Sequence, residues 1–564
     1  MKQNNRTGFT QGLTNYGDPE FSVYIRTAFA KAMGYSDEEL GRPIVGIINT
    51  FSGFNSCHHN FGDLIEAVKR GVLSQGGLPI EFPTISLGEM FTAPTTMMFR
   101  NLMAMDTEEM IRAQPMDGVV LLGGCDKTVP AQLMGAISAD VPAICLVAGP
   151  MITGDYQGER LGACTDCRRF WGEYRAGHLD SQQVNEIGDR LCASIGTCMV
   201  MGTASTMAAL AEALGMMLPG GAAIPAVMAE RRRHAEATGR TIISIIQKDL
   251  RPSKILTRQS FENAMRLLMA IGGSTNAVIH LTAIAKRLGI QLDLADFDRI
   301  SDETPVLVNL KPSGQYYMED LFKAGGIPVV MKELEAGLHQ DALTVLGTTL
   351  GENLTAVPPP PDWQQVIKPR DEPLLGTGSL ACLSGNLAPK GAVIKRSAAS
   401  PHLMTHRGPA IVLKSLEDLH DRIDASDLPV TPDHVIVLQN AGPIGGPGMP
   451  EAGYLPIPKK LLRAGVKDMV RISDARMSGT AFGTIVLHVS PEAAVGGPLA
   501  LVEDGDLIEL DTPNKRLQLL VDEAVLTRRR ETLVLPKPHF QRGYGKLYID
   551  HVEQAHLGCD LDFL

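Results

Sequence analysis

Gly118-Val119-Val120-Leu121-Leu122 runs without a break into Gly123-Gly124-Cys125-Asp126-Lys127-Thr128-Val129-Pro130. A short continuous apolar run of this kind marks a strand buried on both faces, as in parallel sheets. The two glycines permit a tight turn, and a helix is predicted to begin near Val129. In an open parallel sheet, ligands bind beyond the carboxyl ends of the strands. Cysteine, acid and lysine stand side by side at that point, which suits metal chemistry better than core packing.

The same rhythm extends outward. Pro43-Ile44-Val45-Gly46-Ile47-Ile48 reads as a second buried strand, and Leu64, Ile65, Val68 and Val72 recur at helical spacing within 61–73. Val141 to Val147 predicts a third strand. Thr203 to Met217 is Ala/Met/Leu-rich and helical, and 260–288 predicts two helices around Gly272-Gly273. Alternation of this sort indicates an α/β chain with a mainly parallel sheet and helices on both faces. The composition changes at Val357-Pro358-Pro359-Pro360-Pro361, a run that no helix accommodates. Beyond it, Val435–Leu438, Met469–Ile472, Thr484–Val489 and Leu507–Leu510 predict short strands between Gly/Pro turns. The expected division is 1–370 for the first domain and 371–564 for a β-rich second one.

A chain of 564 residues exceeds one hydrophobic core. Its net charge is −11, and it has no long Lys/Arg run, which argues against nucleic acid and anionic membrane as partners. Arg231-Arg232-Arg233 and Arg528-Arg529-Arg530 read as solvated helix faces. Met1-Lys2-Gln3-Asn4-Asn5-Arg6 lacks the apolar segment of a secretion signal. No stretch approaches the roughly 18 apolar residues of a membrane span, and a cytoplasmic location is expected. Nine cysteines in so long a chain are not a disulfide framework.

Cys57 follows the first strand and its loop, Cys125 directly follows the second, and Cys198 stands in Ile195-Gly196-Thr197-Cys198-Met199 ahead of a helix. Three thiolates could hold zinc or an iron–sulfur cluster and leave one position open. Cys145, inside a strand, and Cys382 read as small buried hydrophobes. Cys164-Thr165-Asp166-Cys167 resembles a metal or redox pair but lacks a second pair at ribbon spacing, so it is set aside. Glu89, Asp126 and Glu451 stand in or beside Gly/Pro-rich turns, and carboxylates brought together by folding would suit magnesium. Ser478 in Met477-Ser478-Gly479-Thr480 would need a nearby cation to act as a base. No Gly-x-Ser-x-Gly elbow is present, so a hydrolase triad is unsupported. Gly442-Pro443-Ile444-Gly445-Gly446-Pro447-Gly448 lacks the Gly-Lys-Ser/Thr ending of a phosphate loop and is expected to let the backbone approach a ligand. Ile271-Gly272-Gly273-Ser274-Thr275-Asn276 is either an anion site or a helix cap.

Together, Cys125-Asp126-Lys127-Thr128-Val129-Pro130-Ala131 and Asp474-Ala475-Arg476-Met477-Ser478-Gly479 resemble the IlvD/Edd dehydratase family. Ile271–Ala277 and Gly445–Glu451 add two matches in the right order. The resemblance implies an N-terminal α/β/α domain and a C-terminal β-barrel-like domain with flanking helices, in a homodimer or homotetramer. It implies that Cys57, Cys125 and Cys198 bind a 2Fe–2S cluster with one open iron. It further implies that Glu89, Asp126 and Glu451 bind Mg2+, that Lys127 is carbamylated and also binds Mg2+, and that Ser478 is the catalytic base. Many members carry proline where Ser56 stands and threonine where Ser473 stands; neither change removes an implied ligand.

The implied reaction takes the C2 proton of a hydroxy acid to Ser478. The carboxylate and 2-hydroxyl are held at magnesium, and the 3-hydroxyl departs with the help of iron. The enol then becomes a 2-keto-3-deoxy acid. The cysteine and serine motifs look closer to the sugar-acid branch, which acts on aldonates such as arabinonate, than to dihydroxyacid dehydratase, the alternative. His58 and His59 are either polar partners for a polyol tail or structural residues. Readings from other classes remain: a redox protein would not need Glu451 or Ser478, and a hydrolase or a binding protein would show no iron–sulfur absorbance.

Overall fold

The computed structural model describes residues 7–11 and 16–564, so the polar segment 1–6 lies outside the described residues. The apolar runs form β1 (Ile44–Asn49), β2 (Leu78–Pro83), β3 (Gly118–Gly123) and β4 (Ala143–Val147). These pair in the order β2-β1-β3-β4, every neighbour parallel. Helix Phe61–Ser74 links β1 to β2, and Thr128–Ala139 links β3 to β4. The helix predicted near Val129 thus begins one residue earlier. Val45, Ile47, Ile48, Val119, Val120 and Leu122 are fully buried, because helices cover both faces of the sheet. The helices expected around Gly272-Gly273 are Arg258–Ala270 and Asn276–Lys286. A short hairpin, β5 (Gly154–Tyr156) with β6 (Glu159–Leu161), precedes helix Asp166–Ala176.

The later strands close into an eight-stranded barrel: β7 (Ala381–Gly385), β8 (Ala388–Ile394), β9 (Thr405–Leu413), β10 (Val435–Leu438), β11 (Arg471–Ser473), β12 (Ile485–Ser490), β13 (Leu507–Asp511) and β14 (Arg516–Leu519). Their order is β10-β11-β12-β8-β7-β14-β13-β9. Parallel pairs (β9 with β10, β10 with β11, β11 with β12) sit beside antiparallel ones. The protein is therefore an α/β chain with an N-terminal parallel-sheet unit and a C-terminal barrel flanked by helices.

This arrangement brings two sets of loops together. One set follows the carboxyl ends of β1 and β3; the other follows β10 and β11. Asp474, just past β11, is fully buried and accepts the Ala441 and Ala493 N–H groups at 3.0 and 2.8 Å. Burial, then the neighbouring Glu492, pushes its carboxyl up to about 7. The C-terminal segment ties the units together: Arg287 makes a two-pronged bond to Asp560, and Arg100 donates to the Gly558 and Cys559 carbonyls.

One arginine run departs from expectation. Arg231 is fully buried and donates to the Gly221 and Ile224 carbonyls, while Arg232 and Arg233 pair at the surface with Asp63 and Glu230. The carbonyls take the protons of Nη2, and the buried Glu212 supplies an opposite charge nearby. Cys145 and Cys382 are buried within β4 and β7.

Candidate active site

Segments far apart in the chain converge on Lys127, which is wholly buried at the start of helix Thr128–Ala139. Its Nζ lies 3.3 Å from Glu89 Oε2 and 3.8 Å from Glu451 Oε1, and it makes a close ion pair with Asp126. Arg476, also fully buried, is the second cation. It donates to the Met449 carbonyl at 2.7 Å, to Thr95 Oγ1 at 2.9 Å and to Glu451 Oε1 at 3.2 Å. Thr95 and Thr96, where helix Thr96–Ala113 starts, donate their hydroxyls to Glu89.

Three carboxylates facing two buried cations explain the electrostatics. Burial pushes the Glu89 carboxyl up, but the Lys127 and Arg476 charges, with the two threonine hydroxyls, outweigh burial and hold it well below the usual carboxylate range. At Glu451 burial prevails over Lys127, and the carboxyl is raised. Burial and Arg476 oppose the charge on Lys127; Asp126, Glu89 and Glu451 outweigh them and raise its ammonium.

The sulfurs lie beside this cage. Cys57 sits in the short helix Ser56–His58 after β1, and its thiol contacts Cys125. The Cys125 N–H donates to His58 Nε2 at 2.9 Å. Cys198 lies close enough to feel both thiols. A fourth sulfur joins them: Cys164 Sγ stands 3.1 Å from Cys198 Sγ. The contact with Cys57, then burial, pushes the Cys125 thiol well up; the contact with Cys164, then burial, does the same to Cys198. Thiols of this kind lose their protons to a bound cation.

Ser478 is half-buried on the wall of a cavity of about 1280 Å³ that also meets Glu451, Cys164, Arg168, Tyr454 and Phe482. Its Oγ lies 2.8 Å from Thr480 Oγ1, which accepts from Arg168 at 3.1 Å. The turn is braced from behind. A Cβ on Gly479 would meet Ser274 Cβ at 2.6 Å, and Asn276 Nδ2 donates to the Met477 carbonyl at 3.2 Å. The stretch 271–276 thus buttresses the serine turn from within the fold, with Ser274 and Asn276 fully buried.

The loop 442–448 holds a carboxylate from further along the chain. Its Ile444 and Gly445 N–H groups donate to the buried Glu492 carboxylate, so its anion is the protein's own. Gly448, at φ +87, approaches helix Thr96–Ala113: a Cβ there would meet the Met98 nitrogen at 2.5 Å. His58 is structural. It is wholly buried beside the Thr50 carbonyl, 2.9 Å from Nδ1, and burial lowers its pKa to about 4. His59 is exposed, beside the Phe51 ring. Sequence reasoning did not single out Arg476, Thr95, Thr480 or Arg168, although Arg476 and Thr480 stand two residues either side of Ser478. It set aside Cys164, which joins the sulfur group while Cys167 does not.

Among the described residues, no three His, Cys, Asp or Glu side chains stand ready to hold a metal ion as they are. The Lys127 ammonium occupies the space between the three carboxylates. The donor sets nonetheless separate by chemistry: hard carboxylate oxygens on one side fit magnesium, and soft sulfurs on the other fit iron–sulfur chemistry. None of the described helices is long and apolar enough to cross a membrane.

Residues 42–353 match the family model of the dihydroxy-acid/6-phosphogluconate dehydratase N-terminal region, and 365–559 match its C-terminal counterpart. The chain is 50% identical over 556 residues to L-arabinonate dehydratase of Rhizobium leguminosarum bv. trifolii, covering 97% of this chain and 95% of that protein. It is 47% identical over 531 residues to 6-deoxy-6-sulfo-D-gluconate dehydratase of Pseudomonas putida, covering 94% and 91% respectively. Dihydroxy-acid dehydratase of Carboxydothermus hydrogenoformans is 41% identical over 538 residues, 94% of this chain and 96% of that protein.

Proposed function

This chain belongs to the dihydroxy-acid/6-phosphogluconate dehydratase family and is a dehydratase, a hydro-lyase; we propose that its substrate is a sugar acid, an aldonate of the pentonate class such as arabinonate. The product would be the 2-keto-3-deoxy acid. Greater identity to the sugar-acid dehydratases than to the dihydroxy-acid enzyme supports this substrate class.

In this reading Cys57, Cys125 and Cys198 hold a 2Fe–2S cluster, and Glu89, Asp126 and Glu451 hold Mg2+. The observation that carries it is the Lys127 ammonium ringed by three acids drawn from distant segments, next to clustered thiols and Ser478. A buried cation among three carboxylates marks a cation site; carbamylation would turn Lys127 from its occupant into a further ligand. When bound, the two groups would supply Lewis acidity, magnesium at the substrate carboxylate and 2-hydroxyl and iron at the departing 3-hydroxyl.

The protein's own residues do the rest. Ser478 Oγ, as an alkoxide, takes the C2 proton. Thr480 accepts from Arg168, and its one proton has two acceptors in reach, Ser478 Oγ at 2.8 Å and the Cys164 carbonyl at 3.3 Å; turned to the nearer, it stabilises negative charge on Ser478. Arg168 stacks over the Tyr454 ring with its carbon 5.3 Å from the centroid, which keeps the guanidinium in place. The 3-hydroxyl departs as hydroxide and takes up one proton, in net terms the one removed from C2, to become water; the enol left behind then loses its 2-hydroxyl proton as C3 gains one, giving the ketone. The reading also takes the chain as two units, 1–370 and 371–564, in a homodimer or homotetramer.

The test is a panel of aldonic acids and 2,3-dihydroxyisovalerate offered to anaerobically reconstituted protein, with keto-acid formation as readout. Turnover of a pentonate in preference to dihydroxyisovalerate is expected. Preference for dihydroxyisovalerate would move the protein to branched-chain amino-acid synthesis, and no keto acid from any of them would reject the assignment.

A further inference from the structure

Cys164 is the one member of the sulfur group to which the proposed reaction gives no task. Its Sγ is 3.1 Å from Cys198 Sγ, about 1 Å beyond a disulfide bond length. Two features hold it there. Its backbone lies in the left-handed region at φ +80, which costs a residue with a Cβ roughly 1–2 kcal/mol. Its carbonyl accepts from Arg168, which also donates to Thr480 Oγ1, so the strained turn is anchored to the wall that carries Ser478. Cys198 is fixed by Ser205, whose hydroxyl donates to its carbonyl at 3.0 Å. Cys164 also faces the cavity, whereas Cys125 is buried.

We propose that Cys164 and Cys198 form an oxidisable dithiol site that closes the sulfur pocket when it holds no cluster. The inference rests on the iron–sulfur reading of Cys198. The oxidant class is a small disulfide such as oxidised glutathione. Cys164, reached from the cavity, attacks one of its sulfurs, forming a mixed disulfide and releasing one thiol. Cys198 then attacks the Cys164 sulfur, and the second thiol leaves. Two protein thiols are oxidised to one disulfide, and one small disulfide is reduced to two thiols, which carry the two protons. The oxidised Cys198 cannot ligate iron, but it is protected from irreversible over-oxidation and a thiol reductant restores it. A bound cluster would occupy Cys198 and block the reaction, so only the vacant site responds.

The experiment treats anaerobic, chelator-stripped protein with oxidised glutathione, as the native sequence, Cys164→Ala and Cys167→Ala. Peptide mapping without reductant locates the bond, and iron and sulfide uptake is measured before and after dithiothreitol. The expected result is a Cys164–Cys198 cross-link in the native and Cys167→Ala proteins. It should bring a loss of iron uptake of about tenfold or more, the scale on which disturbing a metal site's surroundings acts, reversed by dithiothreitol. Cys164→Ala should load iron equally before and after the oxidant. A bond between Cys57 and Cys125 or between Cys164 and Cys167, no bond at all, or an equal block in Cys164→Ala would overturn the proposal. Failure of the fully reduced native protein to take up iron would instead sink the iron–sulfur reading and with it the loading effect, while the peptide map alone decides the dithiol.

Discussion

Replacing Arg476 with methionine removes the cation that joins the two halves of the acid cage. The guanidinium is fully buried, and it donates to the Met449 carbonyl, Thr95 Oγ1 and Glu451 Oε1 at 2.7, 2.9 and 3.2 Å. Without it, Lys127 alone faces Glu89, Asp126 and Glu451. Breaking one side of a buried ion pair costs about 3–5 kcal/mol, because the partner charge stays buried and uncompensated. The orphaned Met449 carbonyl and Thr95 hydroxyl belong to the same network, so their costs fall largely within that figure. Urea titration followed by hydrogen exchange at residues 449–451 and 473–480 separates local opening from global unfolding. The pH dependence gives a second readout. The Glu89 carboxyl is held low when folded, so its stabilisation is complete above the unfolded carboxylate value and is lost as pH falls through the folded one. Losing Arg476 raises the folded value, so Arg476→Met should lose stability at higher pH than the native protein. Arg476→Lys keeps the charge without the fork and should fall between the two. A change below about 1 kcal/mol in Arg476→Met, within the range of ordinary surface substitutions and their scatter, would refute the account of the cage.

Other substitutions probe separate parts. Ser478→Ala should keep fold and iron content but lose turnover by at least about 10²–10⁴-fold, the range of general-base catalysis; near-native keto-acid formation would remove Ser478 from the chemistry. Cys125→Ser should lose the visible absorbance of the reconstituted protein, and an unchanged spectrum would strike it from the ligands. Thr480→Val, unable to donate to Ser478, should lower kcat by roughly 10²-fold with little change in KM; a purely structural role would show as instability at unchanged kcat. Lys395 is buried with its amine 3.4 Å from the Gly479 carbonyl, and burial lowers its pKa to about 7. The unfolded chain therefore binds a proton that the folded one lacks between pH 7 and about 10, so stability should rise across that window by a few kcal/mol. Lys395→Met should flatten that rise in thermal midpoints, and an unaltered slope would contradict it.

How far residues announce their roles depends on whether their partners are local. The strand-turn-helix at 118–130 is readable because apolar run, glycines and helix start are adjacent, and Cys125, Asp126 and Lys127 ride on them. The barrel's strand order is not, since β8 pairs with β12 through Ile394 and Val486, and β7 with β14 through Ser384 and Arg516, segments about 90 and 130 residues apart. Arg476 stood in a quoted motif, yet nothing near it in sequence reveals that it reaches Thr95, 381 residues away. Spacing pairs Cys164 with Cys167, whereas the fold sets its sulfur 3.1 Å from that of Cys198, a neighbour that no local pattern announces. Within 442–448, Ile444 and Gly445 aim their amides at Glu492, an acid some 47 residues on that the local pattern does not reveal.

The most direct measurement is a crystal structure of anaerobically reconstituted protein with anomalous scattering recorded at the iron edge. The account predicts iron among the Cys57, Cys125 and Cys198 sulfurs, with a lighter divalent ion between Glu89, Asp126 and Glu451 and the Ser478 oxygen opening on the same cavity. Iron bound elsewhere, or a loaded and active enzyme with those sulfurs empty, would contradict it.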